Sequence, residues 1–418
     1  MSLAQDKNKF LREPEKPLKI LTIDGGGLQA ISTLLILDTA LNKISKKDAQ
    51  GKKPRPCDIF DTIAGIGCGG WLAILLGRFH MDIAACLTEW YNLMEAIQPN
   101  SKTAGLKYRF FQQCFYDHKQ LTDHIEQLTK LYGTGKYMID DSTQVRCRHV
   151  FVAALEEKNT LPKYNLFRTY RCQTAPERDS LRHGPQDPET YEISRAFGVT
   201  GAARYFAPTW EETMDNGLSS KFRDTKFPYP HNITELALDE MWGLYGPDVP
   251  ISVVVNIGPG LPNERDIEKL TRKVSWPPSV GIGRFFGSRR STSSKDSITS
   301  VTDSSGSSGT RPPGAAVQGL KRNPKSSESI KVDDTDIEKK LQRKEEEIER
   351  EIVSKLSKRY GDGKVPYFRL ALETSPKGAP RNDSRYPKRS SLAVDSWYLK
   401  QTTELEKIPI SFERDGSN

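Results

Sequence analysis

Two stretches of this chain run from a strand-length apolar segment through a glycine-rich turn into a helical pattern, and few folds accommodate that sequence of events twice. In the first, Leu18 to Ile23 ends at Asp24-Gly25-Gly26-Gly27, after which Ile31, Leu34, Leu35, Leu37, Leu41 and Ile44 recur at helical spacing. In the second, Asp58 to Ala64 reads as a strand, Gly65 to Gly70 as a tight turn and Trp71 to Leu76 as the start of a buried helix. A later apolar run, Ile251 to Ile257, stops at Gly258-Pro259-Gly260 and reads as another strand of the same sheet. Strands alternating with helices from about Leu18 to Pro262 predict βαβ units around a mainly parallel sheet.

Beyond that region the composition changes. Residues 281–330 hold 13 Ser, eight Lys or Arg and three Asp or Glu without a long apolar run, so burial there offers little to offset the entropy of ordering. A disordered insertion over 281–332 is expected. Dense charges of both signs from Asp333 to Tyr360, with Ile337, Leu341, Ile348, Ile352 and Leu356 on one stripe, predict an amphipathic helix. Val365 to Glu373 resumes strand character and Ser396 to Leu405 helix character. The expected organisation is a tail (1–17), an α/β domain (18–280), the insertion (281–332), the charged helix (333–360), a return to the α/β domain (361–405) and a second tail (406–418).

Several function classes are disfavoured. The 62 Lys and Arg against 54 Asp and Glu give +8 at pH 7, an excess with no nucleic-acid-binding motif behind it, and no specific nucleic-acid partner is expected. The longest uncharged apolar stretch, Thr62 to Gly77, is interrupted by four glycines and is shorter than the about 20 residues a bilayer span needs. With no apolar leader at the N-terminus, an intracellular protein, cytoplasmic or peripheral at a membrane, is expected. The cysteines at 57, 68, 86, 114, 147 and 172 form no CxxC pair and have no histidine at ligand spacing, so reduced thiols and no metal are expected. A P-loop is absent, and the GxGxxA pattern of Gly25 to Ala30 is a poor dinucleotide fingerprint because Asp48 lies in a Lys-rich stretch. No cofactor is implied.

Gly65-Ile66-Gly67-Cys68-Gly69 occupies the place of a nucleophile elbow, GxSxG, with glycine at the central position. Taken with Ile23-Asp24-Gly25-Gly26-Gly27, Cys57 to Gly65 and Gly69-Gly70-Trp71-Leu72-Ala73, this resembles the patatin-like phospholipase family in its fungal-type variant. Leu76-Gly77-Arg78-Phe79-His80-Met81, Val199 to Pro208, Asp215-Asn216-Gly217-Leu218 and Asn256-Ile257-Gly258-Pro259-Gly260 follow in the family's order. The resemblance covers about Leu18 to Pro262 and the segment Tyr367 to Leu399.

It implies a three-layer α/β/α fold and hydrolysis of acyl esters in phospholipids or acylglycerols by a Ser-Asp dyad without histidine; the basic excess of residues 281–330 adds an anionic membrane surface as a further candidate partner, and no protein partner is identified. Carried over by position, Gly25, Gly26 and Gly27 form the oxyanion loop, and Asp215, followed by Asn216 and Gly217, is the dyad aspartate. Gly65, Cys68 and Gly69 frame the elbow, and the nucleophile falls on Gly67. The family's arginine and glycine after the glycine run are Gln29 and Ala30 here. Loss of a nucleophile leaves only the ~10³–10⁴-fold help of binding and oxyanion stabilisation, so a lipid-binding or regulatory pseudoenzyme is the leading expectation. The alternative is an active esterase that uses Cys68, or a water held by Asp215. Cys68 lies one residue late for attack, Asp24 has a simpler role as a turn cap, and His80, His118 and His231 suit surface or packing roles.

Overall fold

The computed structural model describes residues 14–44, 53–97, 118–133, 135–142, 146–156, 163–172, 187–202, 210–213, 219–223, 232–261, 334–373 and 386–413. The apolar run Leu18–Ile23 forms strand β1, with all six side chains buried. Leu18 and Ile20 enter one hydrophobic cluster, and Leu21 and Ile23 enter another. That alternation is the two-residue period of a strand covered on both faces. β1 leads through a single 3-10 turn, Gly27–Gln29, into helix α1 (Ala30–Ile44).

The second junction starts later than the sequence predicts. Pro56 opens a one-turn helix, α2 (Pro56–Ile59), rather than a strand. Asp58 accepts hydrogen bonds from the Arg55 backbone N–H at 3.1 Å and from the Arg55 guanidinium at 2.8 and 2.9 Å, which holds that turn closed. Strand β2 is Thr62–Ile66, so Gly65 and Ile66 belong to the strand. Helix α3 (Cys68–Ala73) follows at once and passes into a π-turn, Ile74–Arg78. The turn between strand and helix is therefore Gly67 alone.

The chain continues through helices α4 (Ile83–Ala96) and α5 (His118–Tyr132), strands β3 (His149–Glu156) and β4 (Lys163–Arg168), and helix α6 (Ile193–Thr200). Strands β5 (Trp210–Thr213) and β6 (Ser219–Arg223), helix α7 (Thr234–Tyr245) and strand β7 (Ile251–Gly258) come next. The last elements are helix α8 (Asp334–Tyr360), strand β8 (Tyr367–Ala371) and helix α9 (Tyr386–Glu413).

Among the described residues eight strands form one sheet in the order β5-β6-β3-β2-β1-β7-β8, with β4 also paired to β3. The pairings β3–β2, β2–β1, β1–β7 and β7–β8 are parallel, and the pairings β3–β4, β3–β6 and β6–β5 are antiparallel. One face is covered by α1, α3, α4, α5, α6 and α9, the other by α7 and α8, which makes three layers, α/β/α. The charged helix α8 presents Leu341, Ile352 and Leu356 as buried side chains, the last two in the cluster beneath α7. β8 takes its place beside β7 with Asn256 in register with Arg369. The expected insertion, residues 281–332, lies outside the described residues.

Candidate active site

The site is organised by glycine because three backbone segments come closer than any side chain allows. Gly67, between β2 and α3, has φ 60° and ψ −135°, a region strained for residues with a Cβ and characteristic of sharp strand-to-helix elbows. The Gly67 carbonyl accepts from Gly70 N at 2.9 Å and Trp71 N at 3.3 Å, so the turn is clamped into the first turn of α3. A Cβ on Gly65 would overlap the Gly69 carbonyl, and one on Gly69 would overlap the Ile23 carbonyl and sit 2.5 Å from that of Asp24. The spacing Gly65-x-Gly67-x-Gly69 thus lets α3 cross the ends of both β2 and β1.

That crossing brings the elbow against the loop Gly25-Gly26-Gly27. Asp24 N donates to Ile257 O at 2.8 Å, keeping the start of the loop tied to β7. Gly26 lies under the Pro259 ring, with no room for a Cβ, and Gly27 turns the chain at φ 58°. Other segments named in the sequence meet at the same place. Thr200 packs on Gly70 and donates from Oγ1 to Ala153 O at 2.7 Å; Gly201 lies against the Trp71 ring, and Trp71 Nε1 donates to Phe197 O at 2.8 Å. Five stretches far apart in sequence converge on the ends of β1, β2 and β7, where the carboxyl ends of parallel strands place a ligand site.

Beneath the glycine loop, on the face covered by α7 and α8, runs a row of polar side chains. Thr22, Asn256 and Arg369 stand side by side on β1, β7 and β8. Asn256 Nδ2 donates to Thr22 Oγ1 at 3.0 Å and to Asp24 Oδ1 at 2.9 Å, and Ile233 N donates to the same Asp24 oxygen at 3.3 Å. Arg369 forms an ion pair with Asp24. Burial pushes the Asp24 carboxyl above its usual value, against the opposing pull of Arg369, Asn256 and the Ile233 N–H. Asp24 is therefore more than a turn cap: it cross-links β1, β7, β8 and the start of α7. The Tyr367 hydroxyl, pushed up mainly by burial, closes the row by accepting from Asn232 Nδ2 at 3.1 Å.

Asp215, Asn216 and Gly217 lie outside the described residues, in the segment joining β5 to β6. The structure brings together Gly25, Gly26, Gly27, Gly65, Gly67, Cys68 and Gly69. Cys68 opens α3 at 4% exposure, inside the apolar cluster formed with α1, α4 and α6. His80, at φ 54°, pairs through Nε2 with Asp140 Oδ2 at 2.9 Å; His118 and His231 have side chains outside the described residues. The residues that sequence reasoning missed are Arg369 and its partners Glu345 and Glu349. Their only signal was one arginine inside the otherwise apolar run Tyr367 to Leu372. Among the described residues no group of His, Cys, Asp or Glu could hold a metal ion, and no helix is long and apolar enough to cross a membrane.

No family model matches the chain. It is 26% identical over 244 residues to calcium-independent phospholipase A2-gamma of Mus musculus and of Homo sapiens, an alignment covering 58% of this chain and 28% of each relative. It is 27% identical over 169 residues to patatin-like phospholipase 1 of Plasmodium falciparum, covering 39% of this chain and 23% of that protein. The chain thus spans less than a third of the length of these relatives. On sequence likeness, and on a mostly parallel sheet between two helical layers, the chain is similar to the patatin-like phospholipases, and that family is the one these findings support.

Proposed function

We propose that this chain is a patatin-like lipid acyl hydrolase homologue in which the acyl-ester site is kept and the nucleophile is not, so that it binds phospholipid or acylglycerol without normal turnover. One observation carries this reading: the residue at the elbow, in the strained backbone geometry of a nucleophile, is Gly67. In the intact arrangement a serine Oγ attacks the ester carbonyl carbon, an aspartate accepts its proton, and backbone N–H groups stabilise the oxyanion before the alcohol leaves. In this chain the N–H donors belong to the loop Gly25-Gly26-Gly27 and to the residue after the elbow, Cys68, and the proton acceptor is Asp215. There is no atom at position 67 to attack. Burial of the Cys68 thiol in the apolar cluster argues against its standing in as nucleophile. The basic excess of residues 281–330 suits an anionic lipid surface as the source of the ligand. Equal binding to neutral and anionic vesicles would remove that part of the reading.

The test is hydrolysis of a chromogenic short-chain ester and of phospholipid vesicles by the protein as written, by Gly67→Ser, and by Gly67→Ser with Asp215→Ala. The expected outcome is an inert parent, a gain of at least about 10³-fold in Gly67→Ser, and loss of that gain in the double variant. Turnover by the parent at a comparable rate overturns the non-hydrolytic reading. A Gly67→Ser protein that folds, binds no lipid and stays inert overturns the site itself.

A further inference from the structure

Arg369 is the one arginine in the Tyr367–Ala371 strand, and its side chain is only 12% exposed. Besides Asp24, it donates to Asn256 Oδ1 at 2.6 Å and Glu345 Oε1 at 3.3 Å, and Glu349 Oε1 stands 3.8 Å from its Nε. Glycine at residue 258 leaves the guanidinium its place: a Cβ there would lie 2.7 and 2.9 Å from the two terminal guanidinium nitrogens and would push the side chain aside. The next residue, Pro259, fills the space over Gly26. Arg369, Gly258, Pro259 and Gly26 are therefore consecutive layers of one stack, and Asp24 directly precedes the glycine loop.

The three carboxylates around this one guanidinium differ in where they come from. Asp24, its side chain 3% exposed, directly follows the strand that leads into the loop, and a carboxylate so deeply buried depends on its cation. Glu345 and Glu349 are 23% and 38% exposed and come from α8, an element held to the sheet by side-chain packing and not by strand pairing. α8 is also the first described element after residue 261. A planar fork with five donors can hold both sides at once, which a lysine at the same position could do only in part.

We propose that Arg369 is a positioning residue that couples helix α8 to the glycine loop. With α8 docked, Glu345 and Glu349 hold the outer edge of the guanidinium while its inner edge holds Asp24, and the loop Gly25-Gly26-Gly27 keeps its shape. With α8 displaced, the guanidinium loses its outer partners and the loop loosens. Any signal acting on α8 then reaches the acyl site through one side chain. The consequence for lipid chemistry rests on the reading of that loop given above, whereas the coupling itself does not.

The experiment is amide hydrogen exchange on the full chain, comparing the parent with Arg369→Gln, Arg369→Lys and the double variant Glu345→Gln, Glu349→Gln. The expected result is exchange about tenfold faster in peptides covering residues 22–30 for Arg369→Gln and for the double variant. Peptides in β3 and α4 should stay unchanged, and Arg369→Lys should restore part of the protection. If Arg369→Gln fails to fold, the double variant alone decides, because its two carboxylates are part-exposed and their replacement leaves Asp24 paired. Unchanged exchange over residues 22–30 in the double variant overturns the proposal, and so does a uniform rise across the whole sheet. In a Gly67→Ser background that hydrolyses ester, the double variant should lower kcat several-fold with KM little changed. A change in KM alone overturns the link to the loop. If Gly67→Ser is inert but exchange responds as expected, the acyl-site reading fails and the coupling stands.

Discussion

At the scale of single residues, the site is shaped by which positions lack a Cβ and for which reason. Gly67 is needed for its dihedral angles and Gly69 for space. The two substitutions therefore have different costs. Gly67→Ser puts a side chain at φ 60°, a strain of about 1–3 kcal/mol, and the folded protein survives it. Gly69→Ala drives a methyl into the Ile23 and Asp24 carbonyls, backbone that cannot move without opening β1. The expected loss is about 3 kcal/mol or more in denaturant unfolding, with a lowered midpoint and an unchanged slope. His149 carries a separate residue-scale prediction. Its Nε2 meets the Tyr245 hydroxyl at 3.0 Å, its ring packs edge-on to Tyr170 at 4.7 Å, and its Nδ1 is buried without a partner among the described residues. Burial holds its pKa down to about 4, with Arg148 acting the same way and Glu240 against it. Between the ordinary histidine value and about 4 the unfolded chain takes up a proton that the folded chain refuses, so stability falls as pH falls through that window. The contribution is on the order of 3 kcal/mol. Urea unfolding at pH 7.5 and pH 4.5 checks it: His149→Phe should lose less stability on acidification than the parent.

At the scale of elements, the two long helices in the C-terminal part are held by narrow apolar contacts. α9 packs Val394, Trp397, Leu405 and Ile408 into the cluster it shares with α1, leaving Leu392 and Leu399 exposed. Trp397 is 5% exposed, and its truncation to alanine should cost about 3–5 kcal/mol. Replacing Leu399, at 77% exposure, should change stability by less than about 0.5 kcal/mol. Thermal unfolding of the two variants tests whether the helix docks by this face. On the opposite side α8 adds ring contacts at its end: the Arg359 guanidinium lies 4.0 Å over Trp242, and Trp242 Nε1 donates to the Tyr360 hydroxyl at 2.9 Å. These contacts explain why a helix so rich in charge adopts one fixed face.

At the scale of the whole molecule, the sheet is completed by residues more than a hundred positions after β7. β8 covers one side of β7 along its last residues, and Arg369 on β8 is the cation of the Asp24 carboxylate. A fragment ending at residue 280 keeps β1, β2, β3 and β7 but lacks β8, α8 and α9. It leaves Asp24 without its arginine, exposes the apolar faces of α1 and α7, and presents an open strand edge. Such a fragment is expected to aggregate or to unfold without a cooperative transition, while the full chain unfolds cooperatively; circular dichroism melting of both decides the matter.

The sequence by itself determined the alternation of strands and helices around a mainly parallel sheet and the glycine-rich junctions after β1 and β2, because strand period, helix period and glycine spacing are local properties. β1, α1, β7 and α8 appear within a residue or so of where the pattern puts them. It also placed Gly67 between a strand and a helix, and a residue's identity is fixed before any tertiary contact forms. Other features depended on what packs against what. Asp58 to Asp61 reads as strand until the Arg55 side chain is seen to close a helical turn. Asp24 reads as a turn cap, and Arg369 draws no reading at all, until β1 and β8 are set on either side of β7. Their pairing spans 345 residues of chain, and only tertiary structure decides it, since a buried charge is satisfied by whichever partner the sheet order brings within reach.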